Sequence, residues 1–225
     1  MHELIKKAIP GIGDDACDKF VTYYTMLLDW NSRMNLTAIT EPWEVAQKHF
    51  ADSLAALPYL PQNARVVDVG TGAGFPGVPL LIMRPDLKLT LVDSLQKRVN
   101  FLDTVLQTLG LQAETVHARA EDFGRMPAYR ETFEIAVSRA VANLSTLLEL
   151  TIPLVRVGGK SICYKGDAAA ELASAKSALH LLHTSAETVE IPAVYGARSL
   201  LICTKNAPTP KTYPRKAGVP SKQPL

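Results

Sequence analysis

The residues with the most chemical content lie in one short stretch, Val66-Val67-Asp68-Val69-Gly70-Thr71-Gly72-Ala73-Gly74-Phe75-Pro76-Gly77. An apolar run of strand type passes straight into a loop holding four of the chain's thirteen glycines within eight positions. Glycine lets the backbone turn sharply and leaves no Cβ between a ligand and the loop's amides. The spacing therefore predicts a small-molecule site at a sheet edge rather than a bare turn. Pro76 and Pro79 suit the first turn of a following helix, where amides lack internal acceptors, and Pro85 ends that helix. Two acidic positions complete the candidate constellation: Asp93 at the end of the next apolar run, and Glu121 within Ala120-Glu121-Asp122 after the third.

Gly72-x-Gly74-x-x-Gly77 with Asp93 matches the dinucleotide fingerprint, in which the acidic side chain meets a ribose. Asp68 argues against a diphosphate, because a carboxylate beside the loop repels phosphate charge while suiting an ammonium and a sulfonium. S-adenosyl-L-methionine is such a ligand. It has no phosphate, its ribose hydroxyls need an acceptor such as Asp93, and its methionine end fits the glycine backbone and Asp68. Asp93 has a competing role at the entry of the next helix, which Ser94 is equally able to cap. Residues 120–122 either close over the adenine through a backbone amide and a side chain or form a solvated acidic turn. No hydride-transfer constellation accompanies the loop, although a nicotinamide-dependent oxidoreductase stays as the rival reading.

The elements that must position these groups follow from the apolar pattern. From residue 65 onward, short apolar runs at 65–69, 87–92, 113–117, 133–138, 160–165, 188–192 and 199–204 alternate with helical stretches, the form of repeated βαβ units around a parallel seven-stranded sheet. The clearest helix lies between the second and third runs, with Ser94 as cap, Val99, Leu102, Leu106 and Leu109 as buried stripe, and Gly110 as stop. Residues 1–62 read as a helical cap. Asp14 and Asp15 cap one helix with Phe20, Tyr24 and Leu27 on its apolar side. A second helix starts at Pro42, buries Ala46, Phe50, Leu54 and Leu57, and ends at Pro58 and Pro61.

The chain of 225 residues is 47% hydrophobic and 20% charged, which excludes a disordered protein and fits one full-sized domain with extensions. It contains no apolar run of roughly 18 residues and no apolar leader after Met1, so a cytoplasmic protein without a membrane span is expected. Cys17, Cys163 and Cys203 are odd in number and far apart, the pattern of buried reduced thiols rather than of disulfides or a zinc site. Charge is uneven: residues 1–62 hold five Lys/Arg and eight Asp/Glu, whereas residues 207–225 hold four and none, with five prolines. Such a basic, proline-rich tail is either solvated or laid along a nucleic-acid backbone.

Taken in order, the motifs resemble the bacterial 16S ribosomal RNA guanine-N7 methyltransferases, the glucose-inhibited division protein B (RsmG) family. The resemblance rests on Asn35-Leu36-Thr37-Ala38-Ile39, Lys48-His49-x-x-Asp52-Ser53, the glycine loop from Asp68 to Gly77 and Asp93-Ser94-x-x-Lys97-Arg98-Val99-x-Phe101-Leu102. Arg119-Ala120-Glu121-Asp122, Ser138-Arg139-Ala140, Lys165-Gly166 and the ending Tyr213-Pro214-Arg215-Lys216-Ala217-Gly218 extend it over nearly the whole chain. It implies an α/β fold of the class I, Rossmann-like methyltransferase kind over residues 63–206, with residues 207–225 as an appended tail. It also implies S-adenosyl-L-methionine held at Gly70, Phe75, the Ala120-Glu121 pair and Arg139, and 7-methylguanosine in small-subunit RNA as product. A non-catalytic cofactor sensor or assembly factor on the same scaffold is the third reading.

Guanine N7 carries a free lone pair, so attack on the sulfonium methyl needs neither a general base nor a covalent intermediate. No catalytic proton-transfer residue is therefore expected, and alignment supplies the rate. Arg139 either grips the cofactor carboxylate or bonds and stacks on guanine. Lys165 and Arg198 are candidates for RNA phosphates, and Lys97 reads better as a surface charge. His49 next to Phe50 reads as half-buried packing, with an alternative role at the pocket mouth; Asn35 carries the same two readings. The expected partner is the 16S RNA within the small ribosomal subunit or a precursor of it, and the expected working form is a monomer.

Overall fold

In the computed structural model, which describes residues 1–166, 168–193 and 195–225, the apolar runs join into one seven-stranded sheet. The chain begins with α1 (His2–Ala8) and α2 (Asp14–Met34). Gly13, not Asp14, is the N-cap of α2, and neither aspartate bonds the orphan amides; both sit in the first turn, where negative charge favours the helix dipole. Asn35 ends α2 in the left-handed conformation, at φ +52°.

The second expected helix divides into three pieces: α3 (Pro42–Glu44), a π-helical turn over Val45–Ala51 and a 3-10 stretch over Leu54–Tyr59. Pro58 lies inside that last piece rather than ending it. Proline has no amide to donate to the preceding turn, and a short tighter winding tolerates the loss.

Then follow β1 (Arg65–Val69), α4 (Gly77–Met83), β2 (Lys88–Asp93), α5 (Gln96–Leu109), β3 (Ala113–His117), α6 (Ala120–Phe123), β4 (Phe133–Arg139), α7 (Leu144–Thr151), β5 (Val155–Lys165), α8 (Ala168–Ser174), α9 (Lys176–Leu181), β6 (Thr184–Glu190), β7 (Ser199–Lys205) and α10 (Val219–Lys222). The strand order is β3-β2-β1-β4-β5-β7-β6. β7 runs antiparallel to both β5 and β6, so the sheet is mixed rather than wholly parallel. The link from β6 to β7, residues 191–198, is too short for a crossover helix and long enough for a hairpin return. β5 starts five residues before the expected run and β6 four before: β5 opens with Val155 buried but then passes through exposed Arg156, Val157 and Gly158, and β6 opens on polar, partly exposed positions, so neither start carries a continuous apolar signal.

Alternation along the strands divides the core. Val66, Leu89, Ile135, Val137, Ile162 and Ile202 face one side, where they meet Phe20, Tyr23, Leu27 and Phe50 of the N-terminal helices together with Phe101 and Leu102 of α5. Val67, Val69, Val92 and Ala136 face the other, against Phe123 and Leu150. Cys163 and Cys203 pack there with α7 and α9, and all three cysteines are free and buried. The expected α5 stripe of Val99, Leu102, Leu106 and Leu109 is buried, and Gly110 ends the helix at φ +64°.

Residues 207–225 are not a solvated tail. Thr209, Pro214 and Pro220 are buried, and Arg130 donates to the carbonyls of Thr209, Pro210 and Tyr213. Arg215 closes on Glu149, whose side chain is wholly buried. The prolines that signalled extension supply apolar surface to this packing, and the extended backbone leaves carbonyls free for Arg130.

Candidate active site

The chain leaves β1 toward β2 and β3 on one side of the sheet and returns with β4 on the other, so β1 and β4 flank the point where strand order reverses. The crevice at the carboxyl end of such a point is where open α/β sheets bind ligands. Gly70 turns out of β1 at φ +69°, and a Cβ there would lie 2.7 Å from Val141 Cγ2 in the loop after β4. Glycine is thus required both by conformation and by the approach of that loop. The amides of Gly70 and Thr71 both donate to the Val92 carbonyl, at 2.9 and 3.1 Å, which fastens the loop to the end of β2.

Asp68 is tucked beneath the loop. Alternation puts it on the face of Val66, beneath the loop, where Oδ2 accepts from Thr71 Oγ1 at 2.7 Å and from the Gly77 amide at 2.8 Å. It is wholly buried, Oδ1 has no hydrogen-bond partner, and burial pushes its pKa up to about 7. Through Oδ2 the side chain shapes the loop from behind, and Oδ1 is left for a further donor.

Beside the loop is a cavity of about 310 Å³ lined by Gly70, Asp93, Ser94, Arg98, residues 118–121, Val141 and Ser221. That volume is at the lower end of the roughly 300–1,000 Å³ of small-molecule pockets. Asp93 is buried there with Oδ2 accepting from the Gly72 amide at 2.9 Å and from Arg98 at 3.5 Å, and Oδ1 accepting from the Leu95 amide at 2.9 Å. The capping role foreseen for Ser94 is not taken: Leu95 is the N-cap of α5, without a side-chain cap bond, and Asp93 fastens its amide. Two oxygens with about four acceptor positions leave Asp93 room for a ribose hydroxyl as well. Glu121 is also buried, and its Oε1 accepts from the Gly218 amide at 2.8 Å.

Phe75 and Arg139 lie elsewhere, in a second cluster on the α2 side of the sheet. The period of two along β4 sends Arg139 the same way as Ile135 and Val137. Its guanidinium donates to the Lys48 carbonyl at 2.9 Å, to Asp52 Oδ2 at 3.0 Å and toward His49 Nδ1 at 3.2 Å, and lies 5.0 Å from the Phe75 ring centre. Asp52 is shared: Arg198 reaches both its oxygens at 2.8 and 2.7 Å, and the Tyr195 hydroxyl donates to Oδ1 at 3.0 Å. His49 stacks on Phe75 with centroids 4.5 Å apart, and its Nε2 is 2.8 Å from Thr37 Oγ1. Burial, reinforced by Arg139, lowers its pKa to about 4, so the ring is neutral near pH 7. The packing expected of His49 is present.

The two phosphate candidates are spoken for. Lys165 donates to the Ala142 carbonyl at 2.5 Å and to Glu171 at 2.9 Å, and Arg198 is held by Asp52. Both sit near strand ends facing loops, Arg198 on the buried Asp52 and Lys165 on the Ala142 carbonyl and the half-buried Glu171. Of the expected site residues, Gly70, Asp93, Ala120 and Glu121 line one cavity and Gly72 meets Asp93 at its edge. Phe75, Arg139 and Arg198 gather around Asp52, and Lys165 stands apart from both groups. Asp52, Tyr195, Arg98 and Ser221 had no assigned role, although Asp52 and Arg98 lie within motifs that carry the resemblance.

The cavity fits an adenosyl group bearing a cationic amino-acid end. Two carboxylates provide acceptors, Ala118 and Ala120 are small and apolar, and a side-chain-free Gly70 lies between them and the loop after β4. The family described as GidB, rRNA small subunit methyltransferase G, matches residues 16–201. A ribosomal RNA small subunit methyltransferase G of Desulfitobacterium hafniense is 48% identical over 219 residues, covering 95% of this chain and 91% of the relative. Among solved structures, a methyltransferase from Pyrococcus furiosus superposes with TM-score 0.59 at 16% identity, over 84% of this chain and 98% of that one. A SAM-dependent methyltransferase from Aquifex aeolicus does so with TM-score 0.56 at 15% identity, over 75% and 96%. These two share the fold alone.

Proposed function

Because the chain belongs to the rRNA small subunit methyltransferase G family, we propose that it transfers the methyl group of S-adenosyl-L-methionine to N7 of a guanosine in 16S ribosomal RNA, in the cytoplasm. The observation that carries the reading is the pocket where Gly70, Asp93 and Glu121 meet at the switch point between β1 and β4. The cofactor supplies an electrophilic methyl on a sulfonium.

Asp93 is suited to accept the ribose hydroxyls, and its bonds from Gly72 and Leu95 hold it in place for that task. The 120–121 pair is suited to the adenine end. Gly70 admits the cofactor backbone beside Val141. Arg139 and Phe75 enter this reading at the methionine end, where the stacked guanidinium offers donors once its bond to Lys48 is exchanged for a carboxylate. Asp52 keeps that guanidinium oriented. None of these groups has to remove a proton, in keeping with a nucleophile that has none to lose. Lys165 and Arg198 support loops in this scheme and are not phosphate ligands, leaving RNA contact to exposed cations such as Lys211, Lys216 and Lys222.

Calorimetry with S-adenosylhomocysteine and with NAD separates the reading from its oxidoreductase rival: uptake of the former alone is expected. Labelled-cofactor methylation of naked 16S RNA and of small subunits, followed by mass mapping, then locates the product. A methyl group on any atom other than guanine N7, or uptake of NAD in place of S-adenosylhomocysteine, overturns it.

A further inference from the structure

One wall of the cavity comes from the C-terminal segment. Ser221 lines the same cavity as Gly70 and Asp93, and the Gly218 amide is bonded to Glu121 Oε1. Gly218 holds φ +81°, a left-handed conformation open to glycine, and this turn aims its amide at the carboxylate. The segment is fastened on both sides of that contact. Arg215 donates from its backbone amide and its guanidinium to the buried Glu149 at 2.6–3.1 Å, and also to the Gln223 carbonyl at 2.7 Å. Thr146 Oγ1 donates to the Pro220 carbonyl at 3.0 Å, and Arg125 to that of Pro214 at 2.8 Å. Thr146 and Glu149 belong to α7, whose Leu150 lines the cavity.

We propose that residues 214–225 form a strap that completes the cofactor pocket, in which Gly218 positions Glu121 and Ser221 forms part of the rim. The inference rests on reading this cavity as the cofactor site. Glu121 has one oxygen tied by Gly218, and Oε2 carries no hydrogen bond among the described residues. A carboxylate held by one oxygen presents the other to a ligand in a fixed direction and loses less freedom on binding. The tail's basic residues divide accordingly: Arg215 is consumed by Glu149, while Lys211, Lys216 and Lys222 stay exposed. The fastening therefore serves the pocket, and only the outer lysines are left for phosphate.

Two variants test the strap. A chain ending at Ala217 keeps Arg215 on Glu149 but lacks Gly218 and Ser221, and thermal unfolding checks that it folds. It is expected to bind S-adenosylhomocysteine about tenfold more weakly, the loss of one charge-assisted hydrogen bond, with cofactor-free affinity for 16S RNA falling no further than Lys222→Ala lowers it in the full chain. In the full chain, Ser221→Cys labelled with an environment-sensitive dye is expected to shift its emission on titration with S-adenosylhomocysteine, and Lys211→Cys labelled likewise is not. The native thiols are buried, so the dye marks the introduced site. If the full chain takes up S-adenosylhomocysteine but the shortened chain binds it equally well, or the dye at 221 is silent, the strap is overturned. Lost RNA affinity with intact cofactor affinity overturns it in favour of an RNA-binding arm. Failure of the full chain itself to bind S-adenosylhomocysteine overturns the cofactor reading, and the strap with it.

Discussion

His49 and Asp68 are expected to oppose each other in the pH dependence of stability. His49 has its pKa lowered to about 4 by burial, against 6.5 for an ordinary histidine, so between those values the unfolded chain binds a proton that the folded chain refuses. Stability on this account rises with pH. Asp68 has its pKa raised to about 7 by burial, against 3.8. Between those values the folded chain keeps a proton that the unfolded chain releases, so stability falls as pH rises. Each group contributes about 1.4 kcal/mol per pH unit in its window, with ceilings of about 3 kcal/mol for His49 and about 4 kcal/mol for Asp68. Their shared window runs from pH 4 to 6.5, and the two slopes cancel there. Urea unfolding at pH 4.5, 5.5 and 6.5 reads the balance. His49→Gln should unmask Asp68, so that stability falls with rising pH. Asp68→Asn should unmask His49, giving a rise of similar size, and the double variant should restore the native profile. Parallel profiles for all four proteins would refute the claim that either side chain is buried in its neutral form.

Three further outcomes bear on the site. Asp52→Ala leaves Arg139 and Arg198 without their shared carboxylate and should cost about 3–5 kcal/mol in chemical unfolding; a loss below 1 kcal/mol would mean that water replaces the carboxylate. Gly70→Ala sets a Cβ 2.7 Å from Val141 and occupies φ +69°. Calorimetry should show weakened S-adenosylhomocysteine binding, with Val141→Ala in the same chain recovering only part, since about 1–2 kcal/mol of backbone strain remains. Arg139→Ala should abolish methylation while the circular dichroism spectrum stays native, and retained turnover removes Arg139 from the mechanism.

The glycine loop, Asp93 and the strands at 65–69 and 113–117 were legible in the sequence because local backbone chemistry determines them. An apolar run feeding into glycines has few alternative structures. The role of Asp68 was not legible from its neighbours in sequence: a strand-end carboxylate can point to either face, and alternation with Val66 and Val67 places it on the side of the N-terminal helices. Arg139, Arg198 and Asp52 illustrate a second limit. Each is an unremarkable charge locally, and their grouping exists only because β4, the 191–198 link and the π-helical turn converge. The reversal of β7 was hidden for a related reason, since strand direction depends on the length of the connection rather than on the residues of the strand. The tail misled through composition: proline and lysine signal exposure on average, yet Glu149 and Arg130 are tertiary partners that a basic extended segment can satisfy.

The apolar cluster that joins Ile5 and Phe20 to Ile162 and Ile202 sets an order of events during synthesis. The N-terminal helices emerge first and meet α4 and α5 once α5 is made, but the shared cluster closes only when Ile162 and Ile202 arrive. Such a chain cannot finish folding piecemeal as it leaves the exit tunnel. Nascent copies stalled midway would be the ones that chaperones hold.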